Sequence, residues 1–391
     1  MQNLVYQTIR GGGWEKQASR IIIAHGLLGN SNNWKTTARH LAKHNLIHSK
    51  LHEIDLLDMR NHGESPHVHS HTNAAMAADI EIFTLMKQKE RQLSAENRDD
   101  GVVLIGHSMG GLAVMATLLS RANEKALLLP SSEELKIRCE RGDYYGWKDD
   151  QGCVEEMRRV NSAMGFPIQE PLRDVMYEYK DTPVSLSTSY FQQEQVKGPR
   201  VKAAIIVDIL PSNLFGKQTD TSMSASATLA AMAAVDLTRV RNFSDGAAAL
   251  ERAGINEKSM RDFVLTNLSL NTPTGEAKWR CNLPVLRADY EKTALCLRDW
   301  FLNAEKNKNK KKDGYNNDEN NDRVAPVPCS LPTLFVFGEK SPYNNPSGRR
   351  LIDCFFSNNR QIEIAGAAHF VHYEKMKEFI EVVAPFLAEH I

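Results

Sequence analysis

Six short apolar runs, rich in β-branched residues and bounded by turn formers, punctuate the chain. They are SRIIIAHG (19–26), LHEIDLLD (51–58), GVVLIGHS (101–108), VKAAIIVDIL (201–210), LPTLFVFG (331–338) and RQIEIAGAA (360–368). Their apolarity is continuous rather than alternating. That pattern predicts strands buried on both faces, as in a parallel sheet. Helical periodicity lies between them, for instance over HTNAAMAADIEIFTLMKQ (71–88). Strands alternating with helices predict an α/β fold, a mostly parallel twisted sheet flanked by helices.

Three segments break the alternation. Residues 122–200 are polar and weakly periodic, and read as an insertion of unknown role. Residues 213–303 look helical throughout, with SASATLAAMAAVDLTRV, DGAAALERAG, SMRDFVLTNLSL and EKTALCLRDWFLN in succession. A helical block between two strands reads as a cap. Residues 304–327 open with the low-complexity run AEKNKNKKKDGYNNDENNDR, which cannot bury enough apolar surface to offset its ordering entropy and reads as a disordered linker. The core is then assembled from 1–121, the strand segment 201–212 and 328–391.

Composition narrows the classes. The chain has 391 residues, 42% of them hydrophobic, which is ample for a packed core. Lys plus Arg equal Asp plus Glu at 48 each. That balance provides no global field to hold nucleic acid or an anionic membrane. No stretch approaches the roughly 20 apolar residues of a membrane span. The start, MQNLVYQTIRGGGWEK, lacks the apolar core of a secretory signal. Six scattered cysteines without a CxxC pair fit reduced thiols in an intracellular compartment.

The candidate chemistry begins at GVVLIGHSMGGL (101–112), where a lone serine ends a buried strand among glycines. Gly106-His107-Ser108-Met109-Gly110 matches G-x-S-x-G in a strand–turn–helix context. In such an elbow the serine takes strained backbone angles, and its neighbours must be small because a Cβ would clash in the turn. The turn lifts Oγ above the sheet and aims the first N–H groups of the helix at a substrate oxyanion. A hydroxyl needs a base, and the base an orienting acceptor. His369, in AGAAHFVHYE after the last strand, is the expected base; His372, at the start of a helical pattern, is the rival and is expected to pack or cap. The loop HGLLGN (25–30) supplies the rest of an oxyanion hole. Leu27, after His25-Gly26, is the expected donor, paired with the N–H of Met109.

The acid is less sharply marked. The usual loop reads GEKSPY (338–343), with Ser341 where an aspartate would be expected and Glu339 close to the strand end. Asp208, ending VKAAIIVDIL beside the elbow, is the favoured acid; Glu339 is the alternative. Ser341 would then hydrogen-bond the histidine or Asp208. In DMRNHGESPH (58–67), Arg60 and His62 are expected to fix a loop near the site through Arg60 hydrogen bonds. HVHSH (67–71) suggests a metal, but no carboxylate or cysteine cluster accompanies it, and a solvated loop is the expectation. This chemistry needs no cofactor.

Taken together, HGLLGN, DMRNHGESPH, GHSMGG (106–111), VDILPSN (207–213), FVLTNLSL (263–270), WRCNL (279–283), GEKSPY and GAAHFVHYE resemble the abhydrolase domain-containing 11 group of α/β hydrolases. That group includes the bacterial YbfF-type esterases and yeast ethanol acetyltransferases. The resemblance covers most of 5–120, 200–300 and 328–390. It implies a serine hydrolase acting on a small-molecule acyl ester or thioester, sometimes transferring the acyl group to an alcohol, with mitochondrial or cytoplasmic residence. It also implies an acid on the strand after the elbow, which favours Asp208, and a serine at the Ser341 position. The insertion 122–200 and the linker are departures from the group. A non-catalytic binding protein on the same fold is the third reading, and no motif specifies the oligomeric state.

Overall fold

The computed structural model describes residues 4–13, 19–68, 71–93, 101–122, 143–144, 147–148, 200–211, 224–270, 275–290 and 328–391. Seven strands form one sheet: β1 (Tyr6–Arg10), β2 (Ser19–Ala24), β3 (Leu51–Leu57), β4 (Val102–His107), β5 (Val201–Val207), β6 (Thr333–Gly338) and β7 (Asn359–Ile364). Their order is β1-β3-β2-β4-β5-β6-β7. Every pairing is parallel except β1 against β3. The helices that border this sheet are α1 (Lys35–Lys43), α2 (Asn73–Leu93), α3 (Met109–Ala122), α7 (Pro346–Phe355), α8 (Val371–Glu374) and α9 (Met376–His390).

Continuous apolarity has the expected consequence. β2, β4 and β6 are buried at every position. Alternate residues feed two different cores. Ile22, Ala24 and Leu104 pack with α2 and α3 on one face. Ile21, Ile23, Val103 and Ile105 pack with Leu41 of α1 and Phe379 and Val383 of α9 on the other. β1 was not among the six apolar runs. YQTIR is partly exposed and mixed in polarity because it is an edge strand, and its register sets Ile9 opposite Ile54.

The cap is not helical throughout. It contains α4 (Ala225–Ala234), α5 (Phe243–Arg252) and α6 (Lys258–Leu265), with a turn of 3₁₀ helix at Leu237–Arg239. The chain then pairs Leu268–Ser269 with Lys278–Trp279 as a short antiparallel ribbon. The expected helix over SMRDFVLTNLSL ends after Leu265, where the N–H groups of Thr266 and Asn267 turn back onto Phe263 and Val264. The cap has its own apolar core of Leu229, Met232, Leu250, Val264 and Leu286, joined by Leu28 from the β2 loop. In the insertion 122–200 the described part between its ends is a ribbon pairing Asp143–Tyr144 with Trp147–Lys148. The rest of that segment, residues 291–303 of the cap and the linker 304–327 lie outside the described residues.

Because the parallel strands run the same way, their C-terminal ends share one edge of the sheet, where α/β folds collect ligand-binding loops. The register sets His107 opposite Val207 and Val207 opposite Val336. Ser108 and Asp208 therefore leave neighbouring strands side by side.

Candidate active site

Ser108 follows β4 with φ of 51°, in the left-handed region. A non-glycine residue there costs about 1–2 kcal/mol, a strain that concentrates at functional sites. The surrounding packing enforces the turn. Ser108 N–H donates to Val207 O at 2.9 Å, and Leu112 N–H donates to Ser108 O at 3.0 Å. A Cβ on Gly106 would lie 2.4 Å from Gly110 O, and one on Gly110 would lie 2.4 Å from Ala24 O. Both positions admit only glycine because backbone approaches backbone there.

Asp208 repeats the device one strand over. Its φ is 52°, it is fully buried, and its N–H donates to Val336 O at 2.8 Å. Three donors converge on its carboxylate. Gly338 N–H reaches Oδ1 at 2.9 Å, and the Ser341 hydroxyl and His369 Nδ1 share Oδ2, the latter at 2.7 Å. His369 Nε2 lies 3.0 Å from Ser108 Oγ. A chain of hydrogen bonds thus runs from a buried carboxylate through an imidazole to a serine hydroxyl, across 261 residues of sequence. A ring that gives Nδ1–H to the carboxylate presents Nε2 as an acceptor to the hydroxyl.

Glu339 does not join this chain. Its Oε2 accepts the Gly366 N–H at 2.7 Å and so ties β6 to the loop that follows β7. His372 is buried, stacked face to face on Trp34 with centroids 3.9 Å apart. It packs from within the short helix α8.

The β2 loop lies against the elbow, for a Cβ on Gly26 would meet Ser108 Cβ at 3.2 Å. Gly26 O accepts both His25 Nδ1–H at 2.7 Å and Gly29 N–H at 2.9 Å. Since the peptide is planar and trans, fixing that carbonyl points the Leu27 N–H the opposite way. Among the described residues the Leu27 N–H has no acceptor. Met109 opens α3, where first-turn N–H groups lack helical partners. The loop is braced further. His62 Nε2 accepts Leu28 N–H at 3.1 Å, and the cap residue Asn267 donates to Leu28 O at 2.7 Å. Both ends of Leu28, at φ 60°, are therefore held.

Arg60 ties its own loop, after β3, to α2. Its guanidinium grips Asp79 of α2 in a two-pronged pair at 2.6 and 2.7 Å. Asp58 is the loop-fixing residue that sequence reasoning missed, accepting Ser31 N–H at 2.6 Å and Glu64 N–H at 2.9 Å. It sits in the same DMRNHG stretch, and a buried carboxylate before a glycine turn was the available signal. In HVHSH, His71 is buried, not solvated, with Nε2 3.0 Å from Met109 Sδ. His67 Nε2 meets Arg280 O, and His69 lies outside the described residues. Among the described residues no group of three His, Cys, Asp or Glu side chains is arranged to hold a metal ion.

Five buried histidines surround the site, and burial pushes every one of them below its ordinary value. His71 and His372 fall to about 3. His25, His62 and His107 are lowered as well. Between those folded values and about 6.5 the unfolded chain binds protons that the folded chain does not, so these five histidines lower stability as pH drops below about 6.5, outweighing the single carboxyl of Asp55 that burial raises to about 6. Tm is expected to decline steadily from pH 7 to pH 5. His372→Phe, which keeps the stack on Trp34, should flatten that decline by about one proton. An equal slope in both proteins would refute this account.

Comparison with known proteins agrees with the architecture. The α/β hydrolase fold family matches residues 19–128. A marine microorganism esterase superposes with a TM-score of 0.59 at 20% identity, over 99% of this chain and 100% of its own. The sheet and elbow define an α/β-hydrolase-fold protein. The sn-1-specific diacylglycerol lipase ABHD11 of Xenopus laevis is 24% identical over 94% of this chain and 79% of its own length. A probable alcohol acetyltransferase of Saccharomyces cerevisiae is 34% identical over 122 residues, 31% of this chain and 32% of that protein. The chain has the α/β-hydrolase fold, and the relatives it matches include ABHD11-type lipases. Among the described residues no helix is long and apolar enough to cross a membrane.

Proposed function

We propose that this protein hydrolyses small carboxylic esters or thioesters through a covalent acyl-serine intermediate. The observation that carries this reading is the continuous hydrogen-bonded chain Asp208–His369–Ser108, with links of 2.7 and 3.0 Å. Ser108 Oγ attacks the acyl carbonyl as His369 Nε2 takes its proton. Asp208 holds the ring through Nδ1–H and stabilises the imidazolium. The carbonyl oxygen, now negative, is met by the N–H groups of Leu27 and Met109. His369 returns the proton to the departing alcohol or thiol. Water then repeats the sequence on the acyl-serine and frees the acid. Names of relatives, a diacylglycerol lipase among them, support an ester substrate. Cys281, Cys329 and Cys354 are free thiols, in keeping with an intracellular compartment, mitochondrial or cytoplasmic.

The likeness to an alcohol acetyltransferase favours a second reading, in which an alcohol replaces water in the last step. Turnover of p-nitrophenyl esters of graded acyl length, with and without ethanol, tests both. Free acid as the main product supports hydrolysis, and ethyl ester as the main product supports transfer. No turnover at any length, with no fluorophosphonate label on Ser108, would leave a binding protein.

In this mechanism His25 acts without touching substrate. Met59 N–H donates to its Nε2 at 2.9 Å, so the proton stays on Nδ1 and holds Gly26 O. His25→Ala frees the peptide that aims Leu27 N–H. Losing one oxyanion donor is worth about 100-fold or more, so kcat should fall by roughly that factor with KM little changed. His25→Asn, which retains one donor and one acceptor, should recover part of it. A wild-type kcat in His25→Ala would remove Leu27 from the oxyanion hole.

A further inference from the structure

The loop carrying His369 is held by a group outside the hydrogen-bonded chain. Glu374 lies five residues on, at the end of α8, with its carboxylate exposed to solvent. One carboxylate oxygen accepts Ala368 N–H at 2.7 Å, and the other accepts Phe370 N–H at 3.0 Å. These are the N–H groups on either side of His369. Glu374 N–H donates back to Phe370 O at 2.8 Å, closing a ring around the same residues. The carbonyl of His369 itself accepts His107 Nε2–H at 2.9 Å, from the residue before Ser108. With Gly366 N–H on Glu339, the loop is held from 366 to 370 before the imidazole makes any contact of its own.

We propose that Glu374 is a positioning residue for His369, acting by clamping the two N–H groups that bracket it. This rests on the reading of His369 as the base. An isolated surface ion contact contributes little. The Glu374 contacts differ because they are two parallel charge-assisted bonds to backbone, which fix direction as well as distance. The Nδ1 and Nε2 contacts at 2.7 and 3.0 Å leave little slack for a proton transfer in each half of the reaction. A carboxylate can accept from both N–H groups at once, whereas the corresponding amide has a single acceptor oxygen. Exposure makes the clamp separable from stability, since removing it opens no cavity.

The test uses the full chain with p-nitrophenyl acetate and four variants: Glu374→Ala, Glu374→Gln, Glu374→Asp and, as a control one turn further on, Glu378→Ala. Glu374→Ala is expected to lower kcat by about 10- to 100-fold, the size of effect that misplacing a reacting group brings. KM should stay within about two-fold, as for an interaction made only in the transition state. Glu374→Gln should be intermediate, and Glu374→Asp should recover at least as much as Gln. The downfield proton resonance of the His369 Nδ1–Asp208 bond should be sharp in the wild type and broadened or lost in Glu374→Ala. Should Glu374→Ala fold poorly, Glu374→Gln keeps the shape and one bond and carries the comparison. A wild-type kcat in Glu374→Ala, or an equal loss in Glu378→Ala, overturns the positioning role. A wild type that is neither active nor labelled at Ser108 overturns instead the reading of the site on which it rests.

Discussion

Replacing Ser108 with alanine is expected to lower kcat for a p-nitrophenyl ester by about a million-fold, to the residue of catalysis left by oxyanion binding alone. The substitution removes one oxygen and leaves the elbow intact. Alanine meets the same left-handed backbone angle that serine already bears, and the hydrogen bonds that enforce it run from backbone to backbone. Tm should therefore shift by no more than a few degrees. Fluorophosphonate labelling should vanish with activity, because the same oxygen is the acceptor in both. Residual activity within about 100-fold of the wild type, by the same arithmetic, would mean that another group carries the chemistry.

The second large effect is expected at Asp208. Asparagine matches aspartate in shape and tolerates positive φ, so Asp208→Asn isolates the charge from the backbone. Its amide presents one oxygen and one NH2 to groups that all donate to the carboxylate: Gly338 N–H, the Ser341 hydroxyl and His369 Nδ1–H. With the oxygen kept on Gly338 N–H, the NH2 meets the Ser341 hydroxyl, which can turn to accept, and His369 Nδ1–H, which cannot. The imidazole escapes that conflict by moving its proton to Nε2, which then cannot accept from Ser108. A loss of about 10,000-fold in kcat is expected, from the wrong tautomer rather than from misfolding. The check is a full pH profile with the fold monitored by circular dichroism. Near-native activity in a folded Asp208→Asn protein would remove Asp208 from the reaction. A parallel Glu339→Gln variant should retain activity within about ten-fold, since it alters one backbone contact to Gly366.

Much of this protein is legible along the chain. β-branched runs buried on both faces announce a parallel sheet. Gly106 and Gly110 around Ser108 announce an elbow, because backbone can approach backbone that closely only at glycine. Those signals are local, carried by a few adjacent residues and their steric demands. The half-exposed edge strand β1 and the ribbon in the cap were harder to see, since edge positions and two-residue strands impose no strong pattern on hydrophobicity.

What local sequence determined, then, was the layered α/β architecture, the turn at Ser108 and the loop at Gly26. Tertiary structure alone decided which groups meet. The bonds from Asp208 to Ser341 and from His369 to Ser108 and Asp208 cross 133 to 261 residues. The lateral register of β4, β5 and β6 places them, and Glu339 is directed to Gly366 instead. Tertiary structure likewise sent His372 into a stack with Trp34, His71 beneath Met109, and the Glu374 carboxylate back around His369. Each of these depends on distance between elements, and hydrophobic period and turn chemistry carry no information about that distance.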